Sequence, residues 1–271
     1  MSSKNQTVLI TGASSGIGLE TAKIFSSQGW NVIATMRNPI GIGTSVPNIL
    51  CLPLDVTRID TIEAAITAAI EKFGAIDVLI NNAGYALIGA FEACTSEEIE
   101  RQFATNVFGL MAVTRAILPH FRGRRQGIIV NVASIGGKMT FPLYSPYHAT
   151  KWAVEGFSES LQYELRQFNI KVKIIEPGPI KTDFYNRSMS VATKPELTDY
   201  KNYVSKVLPQ MQQPDVGSPP EVTAKVIYRA ATDNSWKLRY PAGGNAGFLL
   251  TLRALLPDAI FHNIIRAGVE R

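Results

Sequence analysis

Short apolar runs alternate with longer stretches of helical spacing along most of this chain, and that alternation limits the available folds more than any single motif. The runs are TVLI at 7–10, NVIAT at 31–35, ILCLPL at 49–54, DVLIN at 77–81, GIIVNV at 127–132 and VKIIEP at 172–177. Helical patterns lie between them at about 16–28, 60–72, 96–121 and 147–168. Runs that are apolar throughout, rather than on alternate residues, suit strands covered by helices on both faces. Repetition of strand, helix and strand implies βαβ units and hence a parallel sheet. The expected class is α/β, a doubly wound parallel sheet of about seven strands with helices on both faces. KLRYP at 237–241 would supply the last strand.

At 271 residues and 46% hydrophobic composition the chain can bury one large core, so a single domain over 1–271 is expected. Its formal charge of +5, from 27 basic and 22 acidic residues, is a mild excess. The densest basic cluster, RGRR at 122–125, reads as a solvated turn before a strand, and no nucleic-acid recognition motif accompanies it. Cys51 and Cys94 stand without a CxxC spacing, and the three histidines are His120, His148 and His262. That set supplies neither a disulfide framework nor a metal signature and favours a reducing, cytoplasmic setting. The polar N-terminus runs directly into a short strand, without a signal core, and no stretch of 18 uninterrupted apolar residues would span a membrane.

From 184 to about 220 the pattern becomes more polar and reads as helical segments joined by loops, a candidate lid over a substrate. Helix resumes at Glu221–Thr232 behind SPPE, where prolines suit a helix start. The last region, about 244–271, is an apolar helical extension interrupted by Arg253, Pro257 and Asp258. Closure over the substrate, a subunit contact and a membrane surface are all open to it, with packing on its own domain or a second subunit favoured over lipid.

TGASSGIG at 11–18 joins the first strand to the first helix. Gly12 permits a tight turn, Gly16 lets backbone approach a diphosphate, and Gly18 lets the helix pack on the strand, while the helix N-terminus presents free N–H groups. Ser14, Ser15 and Ile17 belong to the same candidate nucleotide loop. Farther on, YHATK places Tyr147 four residues before Lys151, one helical turn apart on one face. A cation beside a phenol favours phenolate and so lowers the barrier to proton exchange near neutral pH.

The loop spacing is G-x-x-x-G-x-G rather than the commonest dinucleotide fingerprint. TGASSGIG, NNAG at 81–84, Ser134 at the end of the fifth strand and YHATK together resemble the short-chain dehydrogenase/reductase family. The resemblance covers roughly 5–185 and continues more weakly to about 241, and it implies a Rossmann-like fold. ATMRNP and NNAGYALIGAFE look closest to the branch of 17β-hydroxysteroid and retinol dehydrogenases and bacterial carbonyl reductases.

The segment after the second strand, NVIATMRNP, has no carboxylate for a ribose hydroxyl and instead offers Arg37, whose guanidinium suits a 2′-phosphate. NADP(H) is therefore expected in preference to NAD(H). The family resemblance implies that Asp55 and Val56 lie near the adenine and that Asn82, Ala83 and Gly84 line the adenosine and ribose side. It further implies that Pro177, Gly178, Ile180 and Thr182 shape the nicotinamide end. Tyr147 would be the acid in reduction and the base in oxidation, Ser134 a donor to the substrate oxygen, and Lys151 a partner of both Tyr147 and the nicotinamide ribose. Asn106 resembles the family asparagine that binds a water linking Lys151 to solvent. Met139, Phe141, Leu143, Tyr144, Phe184 and Tyr185 are candidates for the substrate wall, an apolar set with no evident arginine clamp for an anionic group. The expected activity is NADPH-dependent reduction of an apolar ketone or aldehyde by a homodimer or homotetramer. A catalytically silent dinucleotide sensor or scaffold is the alternative.

Overall fold

A computed structural model describes residues 5–39, 48–181, 188–212 and 216–269. Along the chain the strands are β1 (Thr7–Thr11), β2 (Asn31–Met36), β3 (Ile49–Pro53), β4 (Val78–Asn81), β5 (Ala86–Ile88), β6 (Gly127–Val132), β7 (Ile170–Pro177), β8 (Met189–Val191) and β9 (Arg239–Ala242). The helices are α1 (Gly16–Ser27), α2 (Ile59–Phe73), α3 (Ser96–Phe103), α4 (Leu110–Arg124), α5 (Ser145–Leu165), α6 (Lys201–Met211), α7 (Pro220–Thr232), α8 (Ala246–Leu255) and α9 (Asp258–Val269).

Seven strands form one parallel sheet in the order β3-β2-β1-β4-β6-β7-β9. The chain winds outward from β1 to β3 and then returns to lay β4 on the other side of β1, which makes the β1/β4 boundary the switch point of the sheet. The α/β, Rossmann-like architecture is as expected. Alternate residues of each strand feed two cores. Val8, Ile10, Val32 and Ile80 meet Phe25, Trp30 and Ile227 on one face. Leu9, Ile33, Leu79 and Ile129 meet Ile62, Ile117, Phe121 and Leu161 on the other. Burial on both faces is what the continuous apolar runs require, at about 1.5–3 kcal/mol for each large aliphatic side chain.

Local chemistry sets several boundaries. Thr95 and Glu98 form a reciprocal capping box at the start of α3. Gly74 ends α2 with φ 79°, a left-handed stop that glycine adopts without a Cβ penalty. The continuous helix expected over 96–121 is instead three pieces, because one turn of π-helix, Ala104–Gly109, separates α3 from α4. Such a turn inserts an extra residue into the helical ladder and re-aims the side chains around it.

The small parallel pair β5/β8, with Ala86 opposite Met189 and Ile88 opposite Val191, has no counterpart in the sequence pattern. Strands of three residues are too short to show a period. Region 184–220 accordingly contains a strand as well as the helix α6. At the C-terminus, α8 and α9 break at Leu256 and Pro257, and Leu249, Leu250 and Phe261 pack on Ile135 and Met139.

Candidate active site

The carboxyl ends of the central strands open into a cleft of about 910 Å³. Open α/β sheets place ligands at this edge, beside the switch point. Its floor begins with the turn after β1. Gly12 and Gly16 have φ 66° and 53°, a region costly for side-chain-bearing residues. A Cβ on Gly18 would lie 2.3 Å from the Gly12 carbonyl oxygen, so only glycine lets α1 sit this close to the turn. The Asn82 side chain donates to the carbonyls of Thr11 and Gly12 at 3.0 Å each, pinning the end of β4 against the glycine loop.

Gly12, Ser14, Ser15, Gly16 and Ile17 line the cleft, as do Arg37, Asp55, Val56, Asn82, Ala83, Gly84, Pro177, Gly178 and Ile180. Gly18 does not, and acts through packing. Thr182, Phe184 and Tyr185 lie outside the described residues. The surfaces present fit a dinucleotide: backbone left bare by glycines at a helix N-terminus, a guanidinium past β2, and a long cleft continuous with the candidate reacting centre.

At that centre Ser134, Tyr147 and Lys151 share the cleft. Ser134 follows β6, and its hydroxyl accepts from the Gly136 N–H at 3.0 Å, which leaves its proton available to another acceptor. Tyr147 and Lys151 lie near the start of α5, whose first turn contains Pro146. The Lys151 ammonium is 5.7 Å from the centre of the Tyr147 ring and donates to the Val132 carbonyl at 2.9 Å. Burial pushes the lysine pKa down to about 8, against the upward pull of Glu155. His148, buried beside Tyr147, accepts from the Phe141 N–H at 3.0 Å, and burial lowers it to about 4, so it is neutral at ordinary pH.

Asn106 sits within the π turn, buried and away from the cleft surface. Its amide accepts from the Tyr85 N–H at 3.0 Å and donates to the Tyr85 carbonyl at 2.9 Å and to Thr150 at 3.1 Å. The side chain thereby ties the strand after NNAG to α5, one residue before Lys151.

Of the residues expected at the substrate, Phe141 and Tyr144 line the cleft. Met139 and Leu143 do not. Met139 is packed in the core with Ala246 and Phe261, and Leu143, turned by a φ of 66°, packs on Val207. The wall instead includes Tyr85, Met189, Met211, Val216 and Leu249, contributed by segments whose proximity depends on long-range pairing. Arg101 of α3 also lines the cleft, a cation that the residue pattern does not announce. Its spacing carries no motif, and only the fold brings it over the sheet edge.

Comparisons with known proteins identify the family. Residues 6–191 match the family model for short chain dehydrogenases. The chain belongs to the short-chain dehydrogenase/reductase family. It is 38% identical to the uncharacterized oxidoreductase YusZ of Bacillus subtilis, across 95% of this chain and 96% of that one. It is 34% identical to retinol dehydrogenase 8 of Bos taurus, covering 95% and 88%. A short-chain dehydrogenase from Streptomyces avermitilis superposes with a TM-score of 0.83 at 34% identity, over 98% and 99% of the two chains. Cofactors differ among solved neighbours. A 3-ketoacyl-(acyl-carrier-protein) reductase from Brucella melitensis, 27% identical, was solved with NADH, and ElxO, 28% identical, with NADP. Membership in this oxidoreductase family therefore implies a nicotinamide dinucleotide without choosing between the two forms.

Proposed function

We propose that this protein is an NADP(H)-dependent carbonyl reductase, reversible as an alcohol dehydrogenase, that acts on an apolar ketone or aldehyde. The observation that carries the reading is the convergence of Ser134, Tyr147 and Lys151 on the cleft that also contains the glycine loop. When bound, the nicotinamide supplies or receives the hydride. The chain's own residues manage the proton and the oxygen. Ser134 donates to the carbonyl oxygen as negative charge develops, Tyr147 delivers the proton to it, and the Lys151 ammonium stabilises the phenolate left behind. In the reverse direction the same phenolate takes the alcohol proton.

Three features support the finer points. Arg37 lines the cleft past β2, where no carboxylate stands, and a guanidinium gains far more from a 2′-phosphate than from a hydroxyl. Phe141, Tyr144, Met189, Met211 and Leu249 supply an apolar substrate wall. Neither Cys51 nor Cys94 is in a disulfide, which suits a reducing cytoplasmic setting, and there the protein would work as a homodimer or homotetramer. Among the described residues no helix is long and apolar enough to cross a membrane.

The test is NADPH consumption by purified protein across aliphatic, aromatic, steroid and retinoid carbonyls, with Tyr147→Phe run alongside. Turnover lost in that variant by about 10²–10⁴-fold is the expected result. Cofactor binding with no turnover on any carbonyl would favour a silent sensor or scaffold.

A further inference from the structure

The four-residue spacing that joins Tyr147 to Lys151 does not stop there. It continues along α5 to Glu155 and Glu159, so phenol, ammonium and two carboxylates occupy successive turns of one helix face. Glu155 is 2% exposed, and Gly137 packs against both residues: a Cβ on that glycine would lie 2.8 Å from Glu155 Cγ and 3.0 Å from the Lys151 carbonyl. A carboxylate so deep needs charge compensation, since an unpaired one favours its neutral form.

Two cations beside the candidate reacting centre supply the compensation. Arg239 of β9 donates through Nε to Glu155 at 3.0 Å and through a terminal nitrogen to Glu159 at 2.6 Å. Lys138, on the turn that follows Ser134, lies 3.6 Å from Glu155. Glu176 of β7, the residue before Pro177 and Gly178, stands 3.9 Å from Arg239. The second oxygen of Glu155, Oε1, is buried without a hydrogen-bond partner among the described residues. Arg239 and Lys138 could each be satisfied by an exposed acid such as Glu159, so stability alone does not demand a carboxylate one turn below a buried lysine. Burying an extra acid is a cost that a purely structural tie would avoid.

We infer that Glu155 is a positioning residue of the reacting centre: its carboxylate, anchored by Arg239, supplies the negative charge that keeps Lys151 an ammonium beside Tyr147. The inference rests on the reductase reading above for its catalytic meaning, but its physical content is a property of Lys151 itself. Burial drives that lysine toward the neutral amine, and Glu155 opposes it. Around the pair, His148 is neutral, burial raises Glu155 above the ordinary carboxylate range and raises Glu176, with help from Glu155, to about 7, while Arg239 and Lys138 oppose both shifts and favour the ionised carboxylates.

The experiment follows the Lys151 side chain by NMR of [ε-13C]lysine-labelled full-length protein through a pH titration, with the signal identified by its loss in Lys151→Arg. Glu155→Gln should lower the Lys151 midpoint by about one pH unit, the scale of a single nearby charge. Glu155→Asp, which keeps the charge, should restore it. Glu159→Gln, which removes a more exposed partner of the same arginine, should leave it in place. A Glu155→Gln protein that is folded by circular dichroism and titrates with the wild-type midpoint would overturn the inference, as would an Asp variant that behaves like Gln. In turnover, the Gln variant should lose several-fold more kcat/KM at pH 8 than at pH 6, whereas simple loosening of the helix would lower both equally. Wild-type protein without turnover on any carbonyl would speak against the reductase reading, while the NMR titration would still decide whether Glu155 holds the Lys151 charge.

Discussion

Two buried lysines among the described residues are treated differently. Lys173 of β7 has a side chain with 0% exposure and points its ammonium at four acceptors: Asp233 at 3.3 Å, the Ser235 carbonyl at 2.6 Å, the Ser235 hydroxyl at 3.2 Å and the Tyr240 hydroxyl at 3.0 Å. Lys151, almost as deep, donates to the Val132 carbonyl and stands beside a phenol at the wall of the cleft. An ammonium has three protons to donate. The saturated lysine ties β7 to the turn before β9 and has no capacity left for a ligand. The other is placed where a substrate hydroxyl, a ribose or a water can complete its shell. Lys173 is surrounded; Lys151, the cation proposed to act in the chemistry, faces the cleft.

Removing each cation is the strongest test of that contrast. Lys151→Met should cost about 10²–10⁴-fold in kcat/KM, since the proton donor loses its activating charge, while urea unfolding shifts little. Lys173→Met should do the reverse, costing roughly 1–3 kcal/mol of stability through its unpaired acceptors while the folded protein keeps its turnover. A Lys173→Met enzyme that is fully folded and inactive would erase the distinction.

The comparison extends to the glycine loop, where structure and ligand compete for the same space. Gly18→Ala puts a methyl group within 2.3 Å of the Gly12 carbonyl, so α1 must move away from the turn. Overpacking of this kind costs on the order of 1–3 kcal/mol. The expected outcome is NADPH binding weakened about 10- to 100-fold in a fluorescence titration, with the apolar cores intact. Arg37→Asp is the milder change, because the cation is at the rim. It should reverse the NADPH to NADH preference by a factor of about 10, from the loss of a charge-assisted hydrogen bond. An unchanged ratio would assign cofactor choice elsewhere in the cleft.

What was legible in the sequence follows the same division. Strands buried on both faces write continuous apolar runs, and the glycines write steric demands that no other residue meets, so the sheet, the loop and the Tyr147–Lys151 face could all be read. The substrate wall could not. Met189, Met211 and Leu249 reach the cleft through the β5/β8 pairing, the packing of α6 beside Tyr144 and the docking of α8, contacts between residues far apart in the chain that leave no local period. Met139 and Leu143 misled for a related reason: closeness in sequence to Ser134 and Tyr147 does not fix which way a loop turns, and the positive φ at Leu143 sends its side chain into the core. The acidic continuation of the Tyr147 face was visible as spacing, but only the fold supplies Arg239 and shows Glu155 to be buried.

A further prediction concerns the buried acid Glu176 and the buried base His148. Glu176 in the folded state is raised to about 7 by burial and by Glu155, so between about 4.5 and 7 the folded protein holds a proton that the unfolded chain has released. Its contribution therefore falls as pH rises through that window. His148, lowered to about 4 by burial, works the other way: between about 4 and 6.5 the unfolded chain binds a proton that the folded one refuses, so its contribution falls as pH drops. Each slope is about 1.4 kcal/mol per pH unit, and over 4.5–6.5 they cancel. Glu176→Gln removes one of the two. Urea unfolding at pH 5 and pH 6.5 should then show stability rising with pH in the variant relative to wild type. Parallel behaviour of the two proteins would mean that Glu176 does not take up that proton, and that Arg239 keeps the whole acidic cluster ionised just as Asp233, Ser235 and Tyr240 keep Lys173 enclosed.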